Sequence, residues 1–505
     1  MTQQAKPTRS RAPGISPTRD EDYPGWYQEV VRASDLAVMS HVRGCMVIKP
    51  WGWGIWEHLQ RGLDGEIKAR GHENAYFPVL IPLSYLQKEA DHVEGFAKET
   101  AVVTHHRLEE KDGRIVPAAP LSEPLVVRPT SETIIGASMA EWITSYRDLP
   151  LLLNQWANVV RWELRPRILL RTTEFLWQEG HTAHATAEEA LAESLDIHRM
   201  YEDFVRDWLA MPVIAGEKPP SERFPGAEQS FSIEAMMQDG KALQAGTSHF
   251  LGQNFARAED IGFVDADGRR KLANTTSWGA STRLIGGMVM THADDDGMVV
   301  PPRVAPHQVV VVPVLRGGDA DAEVLAYAEK VAGAIGGASD SDGNPVRVHL
   351  DRRQHRSADK RWQWTKRGAP VLVEVGPRDL ADGVLTYRQR LDVDSVLRSD
   401  VSAFAAGVGE ILGDLQSALL AQARFRLEAG IVRDLRTLDE VRAHFEGGGS
   451  GFVLGKWCGS PKCEQALKSL AVTIRVLPQT LTADGERCLI DGRPATTDAV
   501  WAMAY

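Results

Sequence analysis

Residues 299–307 read VVPPRVAPH, three prolines in nine positions. Proline has no backbone N–H, and its ring clashes with the preceding turn, so a helix cannot run through it. A sheet interior excludes it as well. The residue before each proline is also pushed away from helical geometry. The stretch therefore reads as a hinge that cuts the 505-residue chain into separately built parts. A chain of this length needs such a division, because single cores stop growing well below it.

Upstream, residues 26–300 read as one alternating α/β block rich in Trp, Gly and Pro. Ile55, Trp56, Leu59, Leu63 and Ile67 recur at helical spacing, Arg70 and Gly71 end that helix, and NAYFPVLIP follows as an apolar strand. A second amphipathic helix is expected over 186–211, closed by Pro212. Downstream, QVVVVPVL is a buried-type strand, 322–335 a helix, and VRVHL and APVLVEVG continue an α/β alternation to about residue 405. Residues 407–445 are mostly helical, EGGGSG at 446–451 is a flexible break, and a small mixed unit closes the chain.

Bulk properties exclude several classes. The chain is 43% hydrophobic and 25% charged, ordinary for a folded soluble protein. Its net charge of −11 rules out a simple basic nucleic-acid coat, though not a local basic patch. No apolar run reaches the ~20 residues a membrane span needs. The N-terminus, MTQQAKPTRSRAPGISPTRDEDYPGW, lacks the apolar core of a secretory signal, and its prolines oppose the amphipathic helix of a transit peptide. Residues 1–22 are read as a disordered tail. Four cysteines in so long a chain point to a reducing compartment, hence a cytoplasmic protein.

The chemistry is concentrated in RWELRPRILLRTTEF. Arg161, Arg165, Arg167 and Arg171 fall within eleven residues and are followed by Phe175. Arginine presents a planar fork that pairs with phosphate oxygens, and an aromatic ring stacks on a base. A hairpin bearing both can hold the two ends of one nucleotide. By itself the stretch is equally a surface hairpin with solvated arginines.

Its neighbours decide the matter. Arg161, Glu163, the loop 164–170, Arg171 and Phe175 resemble motif 2 of the class II aminoacyl-tRNA synthetases. RGHENAYFPVLIP (70–82), with Pro78, resembles their motif 1, which implies a homodimer. SWGASTRLIGG (277–287), with Arg283, resembles motif 3, though with less glycine before the arginine than usual. RPTSET (128–133), VRWE, WQEGHTAHAT, GTSHFLGQNFA (246–256) and SWGASTR together resemble the prolyl-tRNA synthetases, over residues 22–505. The archaeal/eukaryotic-like type is the nearer match, since some 60 residues between HTAHAT and GTSHF leave no room for an inserted editing domain.

The resemblance implies an antiparallel-sheet catalytic core over 23–302, an α/β anticodon-binding domain over 303–405, and a helical linker with a small C-terminal zinc-type domain over 406–505. It implies ligation of L-proline to tRNA(Pro) through prolyl-adenylate, using ATP with Mg²⁺. Arg161 would hold the α-phosphate and the proline carboxylate. Glu163, Arg171, Phe175, Gln244, Thr247, Ser281 and Arg283 would complete the ATP site. Thr130 and Glu132 would take proline's ammonium, with His249 and Trp278 closing the pocket. Lys366, Glu374 and Arg378 are the anticodon contacts it suggests, beside the basic strip 351–367, DRRQHRSADKRWQWTKR, in which Trp362 and Trp364 are interleaved for base stacking.

Three features have competing plain readings. TSE is also a helix-capping pattern. His181 and His184 invite a metal but lack a third ligand, and Asp294–Asp296 read as a solvated loop. Cys458, Cys463, Cys488 and Asp491 occupy the positions of the family's zinc ligands, with aspartate where a fourth cysteine is common. Structural zinc favours thiolate and imidazole, so a zinc site and a metal-free cluster both remain open. Two other functions compete with this one. A threonine or serine synthetase lacks support, because no active-site zinc ligand set accompanies the motifs. A silent paralogue would be expected to have lost Arg161, Glu163, Phe175 or Arg283.

Overall fold

A computed structural model describes residues 14–88, 100–478 and 485–505. It divides into two compact units. One comprises residues up to Ala37, Ile48–Ile55 and Met288–Leu419; the other comprises Val38–Val47, Trp56–Gly287 and Leu420–Tyr505.

The second unit is built on one eleven-stranded sheet. Its centre consists of β1 (Leu151–Val160), β2 (Glu174–His184), β3 (Val213–Glu217), β4 (Gln229–Met236), β5 (Ala242–Gly252) and β6 (Asn274–Ser281), in the spatial order β3-β4-β5-β6-β2-β1. All these neighbours are antiparallel. The helix Ala187–Leu209 covers one face. Thr186 and Glu189 cap it reciprocally, and Ile197, Met200, Tyr201, Phe204, Val205 and Leu209 form its buried stripe. The expected helix over 186–211 thus forms, and Ala210, in the left-handed region at φ 51°, ends it before Pro212. The helix Pro50–Ala69 also forms, with Ile55, Trp56, Leu59, Leu63 and Ile67 all buried.

The NAYFPVLIP stretch is not one strand. Glu73–Asn74 pairs in parallel with β1, Leu80–Pro82 joins a separate three-stranded sheet, and the intervening residues leave the ladder. Pro78 has no N–H to donate there, and the Phe77 N–H goes instead to the Gln155 side chain at 3.1 Å.

The C-terminal strands Val472–Pro478, Thr497–Met503, Phe452–Trp457 and Ile431–Val432 extend the same sheet beyond β3. Leu477 and Pro478 pair with Glu217 and Gly216. Residues Leu420–Tyr505 thus fall in the same compact unit as this sheet. Gly451, in the EGGGSG break, donates its N–H to the Gly240 carbonyl at 3.1 Å.

The first unit carries a five-stranded sheet in the order Val348–Leu350, Val309–Pro313, Val371–Val375, Val384–Gln389, Asp392–Asp400. The first two pairings are parallel and the last two antiparallel. Val309, Val310, Val311 and Val312 have no exposure at all, as a strand covered on both faces requires. Helix Asp321–Gly336 packs Tyr327, Ala328, Val331 and Ile335 against this sheet.

The proline hinge is packed into this unit instead of lying free. Met298 N–H donates to the Lys366 carbonyl at 2.9 Å and Val300 N–H to that of Gly368 at 3.2 Å, so the pairing begins ahead of the prolines. Residues 14–22 are likewise ordered, against the expectation of a tail through 22. Ile15 is fully buried, and Asp295 accepts from the backbone N–H groups of Ile15 and Arg19 at 2.8 and 2.9 Å. Residues 1–13 lie outside the described residues. Asp294 pairs with Arg390 at 2.6 Å, so the acidic loop is held by an ion pair and a chain end, not simply solvated.

Candidate active site

The arginine stretch forms the connection between β1 and β2, whose register runs from Val160↔Glu174 to Leu151↔Ala183. Arg161 N–H donates to the Thr173 carbonyl at 2.8 Å, closing the base of the loop. Near its tip Arg167 and Arg171 exchange backbone hydrogen bonds of 2.6 and 2.8 Å. Leu169 and Leu170 turn inward and anchor the loop by burial. These local contacts fix where the arginines project.

Two adjoining cavities share Arg161, Phe175, Glu222, Ser281 and Arg283. The first, ≈ 310 Å³, is lined by Thr130, Glu132, Arg161, Phe175, Gln244, Thr247, His249, Trp278, Ser281 and Arg283 among others. The second, ≈ 650 Å³, adds Glu163, Arg171, Arg475 and Tyr505. Residues from seven separate stretches of sequence thus converge, and every residue expected for proline or ATP lines one cavity or the other.

Arg161 stands at the junction. Its Nε donates to the Pro129 carbonyl at 3.0 Å, and its guanidinium lies 5.5 Å from the Phe175 ring centroid and 5.4 Å from that of Trp177. Burial holds its pKa below the ordinary arginine value, against the opposing charges of Glu132 and Glu179. Arg283 opens the helix Arg283–His292 directly after β6, and its Nε donates to the Leu170 carbonyl at 3.0 Å. Burial first, then Arg161 and Arg171 nearby, bring its pKa down to about 10, still protonated at neutral pH. Arg171 and Glu163 hold each other at 2.6 Å, so a ligand reaching either must compete with that pair.

The other end is acidic. Ser131 is the N-cap residue of helix Glu132–Trp142, yet its side chain makes no capping bond. It donates instead to Glu179 Oε1 at 2.5 Å, so TSE does not act as a capping box. Thr130 Oγ1 donates to Glu132. Arg128 is fully buried and donates to the carbonyls of Phe77 and Asn158 at 2.7 and 2.8 Å, which holds the RPTSET stretch in place. Glu179 also accepts from Gln155 Nε2 at 2.5 Å and meets His181 Nε2 at 3.1 Å. Burial alone would raise the Glu179 pKa, but the contact with His181 and the hydroxyl and amide donors outweigh it and hold it low. His181 is raised, burial being overcome by Glu179.

His249 stacks on Phe224 with ring centroids 4.7 Å apart, and its Nδ1 is hydrogen-bonded to Ser230 Oγ at 2.9 Å. Burial, with the cations Lys218 and His181 nearby, drops its pKa to about 3, so the ring is neutral. Trp278 is buried, its ring edge-on to His72 at 5.0 Å. Of the residues lining the first cavity, Trp177, Trp278 and Ser277 keep a buried indole N–H or hydroxyl without a hydrogen-bond partner among the described residues. Buried polar groups are rarely left so.

Sequence reasoning gave no role to Trp177, Glu179, Phe224 or Lys218 and read His181 as merely structural. A weak signal existed for two of them. Glu179 and His181 alternate on β2 behind Phe175 and Trp177, the pattern of one strand face.

Lys366, Glu374 and Arg378 lie in the first unit. Lys366 Nζ sits 5.8 Å from the Trp362 ring centroid, Arg378 is exposed, and Glu374 is paired with Arg361 at 3.2 Å and Arg388 at 3.5 Å. The basic strip is less open than its composition suggests. Arg352, Arg353, Arg356 and Arg367 pair with Glu329, Asp351, Asp359 and Asp35. Trp364, expected to offer a stacking face, is buried with its indole N–H on Asp351 at 2.9 Å.

The ligand atoms of Cys458, Cys463, Cys488 and Asp491 all lie within 4.8 Å of one another. Cys458 and Cys463 Sγ are 3.6 Å apart, close to the ~3.8 Å edge of a tetrahedron with ~2.3 Å zinc–sulfur bonds. The donor set therefore fits zinc in spacing. Arg493 competes for it, donating to Asp491 Oδ2 at 2.5 Å and lying 3.6 Å from Cys458 Sγ.

An antiparallel sheet with arginines at the β1–β2 hairpin and at the start of the helix after β6 is the arrangement of a class II aminoacyl-tRNA synthetase core. Residues 118–292 match the tRNA synthetase class II core domain (G, H, P, S and T), 308–410 an anticodon binding domain, and 438–505 a prolyl-tRNA synthetase C-terminal domain. The chain is 56% identical over 499 residues to the proline--tRNA ligase of Protochlamydia amoebophila, covering 97% of this chain and 98% of that one. It is 53% identical over 504 residues to that of Paramagnetospirillum magneticum, covering 99% and 100%. The chain belongs to the prolyl-tRNA synthetases. Among solved structures it is similar to the Cryptosporidium parvum prolyl-tRNA synthetase complexed with L-proline and AMP (TM-score 0.88, 32% identity, 100% and 99% coverage). The same enzyme complexed with halofuginone and AMPPNP gives TM-score 0.87 and 34% identity, with 97% and 99% coverage.

Proposed function

We propose that the chain ligates proline to tRNA(Pro) in two steps within the joined cavities. The observation that carries this reading is the position of Arg161, between the carboxylates of Glu132 and Glu179 and the rings of Phe175 and Trp177. In the first step the proline carboxylate attacks the α-phosphorus of ATP and pyrophosphate leaves. In the second a ribose hydroxyl of the tRNA's terminal adenosine takes the prolyl group and AMP leaves. Neither step needs an enzyme nucleophile, so positioning and charge stabilisation carry the catalysis.

Proline's secondary ammonium is taken by Thr130 and Glu132, with Glu179 adding negative charge behind them. His249, stacked on Phe224 and uncharged, closes the pocket without repelling that cation. Trp278 supplies the apolar wall. Arg161 bridges the proline carboxylate and the α-phosphate, where charge grows in the transition state. Phe175 stacks on adenine, Gln244, Thr247 and Ser281 complete the nucleotide contacts, and Arg283 takes phosphate charge. Mg²⁺ would accompany the polyphosphate, and Glu163 and Glu222 are the cavity carboxylates that would offer it oxygen. The C-terminal cysteine cluster would hold a structural zinc, with Asp491 as the fourth ligand once Arg493 gives it up. The 303–405 region reads the anticodon, with Lys366, Glu374 and Arg378 the residues to test.

The pocket rejects small competitors poorly, because a missing methylene changes discrimination by only ~1–3 kcal/mol. Alanine, cysteine or both are therefore activated at measurable rates. The 57 residues from Ala185 to Lys241 are taken up by the helix Ala187–Leu209, β3, a short 3₁₀ turn and β4, which supports a type without an inserted editing domain. The motif 1 stretch supports a homodimer, and unpaired cysteines suit the cytoplasm. Alanine replacement of Arg161 tests the assignment: proline-dependent ATP–pyrophosphate exchange should fall by about 10²–10³-fold, the scale of one lost charge-stabilising donor. Wild-type exchange in that variant would remove Arg161 from the chemistry.

A further inference from the structure

The strand Val472–Pro478 meets its neighbour with Ile474 opposite Trp501 and Val476 opposite Val500. Arg475 falls in the register shift between them, a β-bulge of the kind that re-aims one side chain out of the ladder. It is aimed into the catalytic unit. Its Nε and Nη2 donate to Glu234 Oε2 and Oε1, each at 3.3 Å, and its Nη1 to Thr473 Oγ1 at 3.1 Å. Glu234 on β4 sits at a second register shift, opposite Gln244.

Glu234 is fully buried, and Lys218 already matches its charge at 2.7 Å. Two cations therefore share one carboxylate in a largely dry place, and Glu222 near Lys218 is the other acidic group that offsets the surplus positive charge. Burial, and Arg475 beside it, hold the Lys218 pKa below the ordinary value despite that carboxylate. A buried charge without a complement is costly. The surplus faces the second cavity, which four arginines line against two glutamates. Arg475 has two N–H groups beyond the three engaged by described residues, since guanidinium carries five.

We propose that Arg475, supplied by the C-terminal segment, is a phosphate ligand of the nucleotide cavity and takes the pyrophosphate end of ATP. The C-terminal strand thereby completes the site instead of only buttressing it, and Glu234 with Lys218 positions the guanidinium. The proposal rests on the nucleotide reading of this cavity given above.

The test compares ATP with AMP, which lacks the pyrophosphate end, by equilibrium binding to the full chain and to Arg475→Met. The variant should bind ATP about 10- to 100-fold more weakly and AMP as the wild type does. In proline-dependent exchange, KM for ATP and for pyrophosphate should rise while KM for proline stays put. Equal weakening of ATP and AMP would mean a merely structural role and overturn the proposal, as would unchanged ATP binding. If Arg475→Met does not fold, Arg475→Lys decides by the same ratio, because a point charge cannot reproduce the fork. If the wild type shows no proline-dependent exchange at all, the functional reading fails, while the ATP-to-AMP ratio still judges Arg475.

Discussion

Gly180 lies under the Trp278 ring, and a Cβ built on it would meet three ring atoms at well under 3.0 Å, a separation real Cβ atoms do not adopt. Trp278 is buried between His72 and Tyr201, so it has little room to retreat on their side. Ordinary contact begins at 3.4 Å, so Gly180→Ala moves the ring or the strand by about 1 Å. Overpacking of this kind destabilises by about 1–3 kcal/mol. The direction left open is the proline cavity, which Trp278 lines. A wall displaced by about 1 Å lowers kcat/KM for proline by up to about 10²-fold. Proline-dependent ATP–pyrophosphate exchange measures it, with KM for proline expected to carry most of the change and KM for ATP little. Adding Trp278→Leu to the variant removes the clash and should recover part of the loss in stability. A Gly180→Ala enzyme with wild-type KM for proline, or a double variant no more stable than the single one, would refute the steric argument.

Other expectations concern charge, metal and fidelity. In the Glu179–His181 pair, despite burial, Glu179 is lowered from 4.5 and His181 raised from 6.5, each by the other. Its stabilisation is fullest between those two values, is lost on acidification through the lowered Glu179 value, and is lost again as pH rises through the raised His181 value. Thermal scans should therefore show Glu179→Gln less stable by about 1–3 kcal/mol near pH 6, with a gap that narrows at higher pH; a constant gap would mean an uncharged pair. Asp491→Cys offers a fourth thiolate and should bind zinc more tightly in chelator competition; equal affinity would show that Asp491 is not a ligand, and no zinc bound by either protein would show that the cluster is not a zinc site. The isolated chain should leave alanyl-tRNA(Pro) intact; efficient deacylation would reveal an editing activity the cavity does not explain.

Residue type and order carried much of this site. Thr130, Glu132, Arg161, Phe175, His249, Trp278 and Arg283 are far apart in sequence, yet each sits in a motif whose local geometry aims it, and the sheet brings them to one cavity. What stayed hidden depends on pairing across long separations. His181 looked structural because its partner Glu179 became visible only through strand alternation and burial. Arg475 gave no signal, since its position comes from a bulge in a strand joined to β3 some 260 residues away in sequence. Trp364 misled for the opposite reason: a helix of basic residues can still bury one aromatic face when Asp351 waits for its indole N–H. The continuity of the C-terminal strands with the core sheet was equally illegible, because EGGGSG looks like a linker until its backbone pairs with Gly240.

The central claim is that the acidic pocket and the arginine cavity together activate proline. Amino-acid-dependent ATP–pyrophosphate exchange, run in parallel with proline, alanine, cysteine and threonine, tests it most directly. Exchange should be strongest with proline, weaker with alanine or cysteine, and negligible with threonine. No exchange with any of the four, from folded protein that still binds tRNA, would contradict the account and make the assembled arginines a binding surface without chemistry.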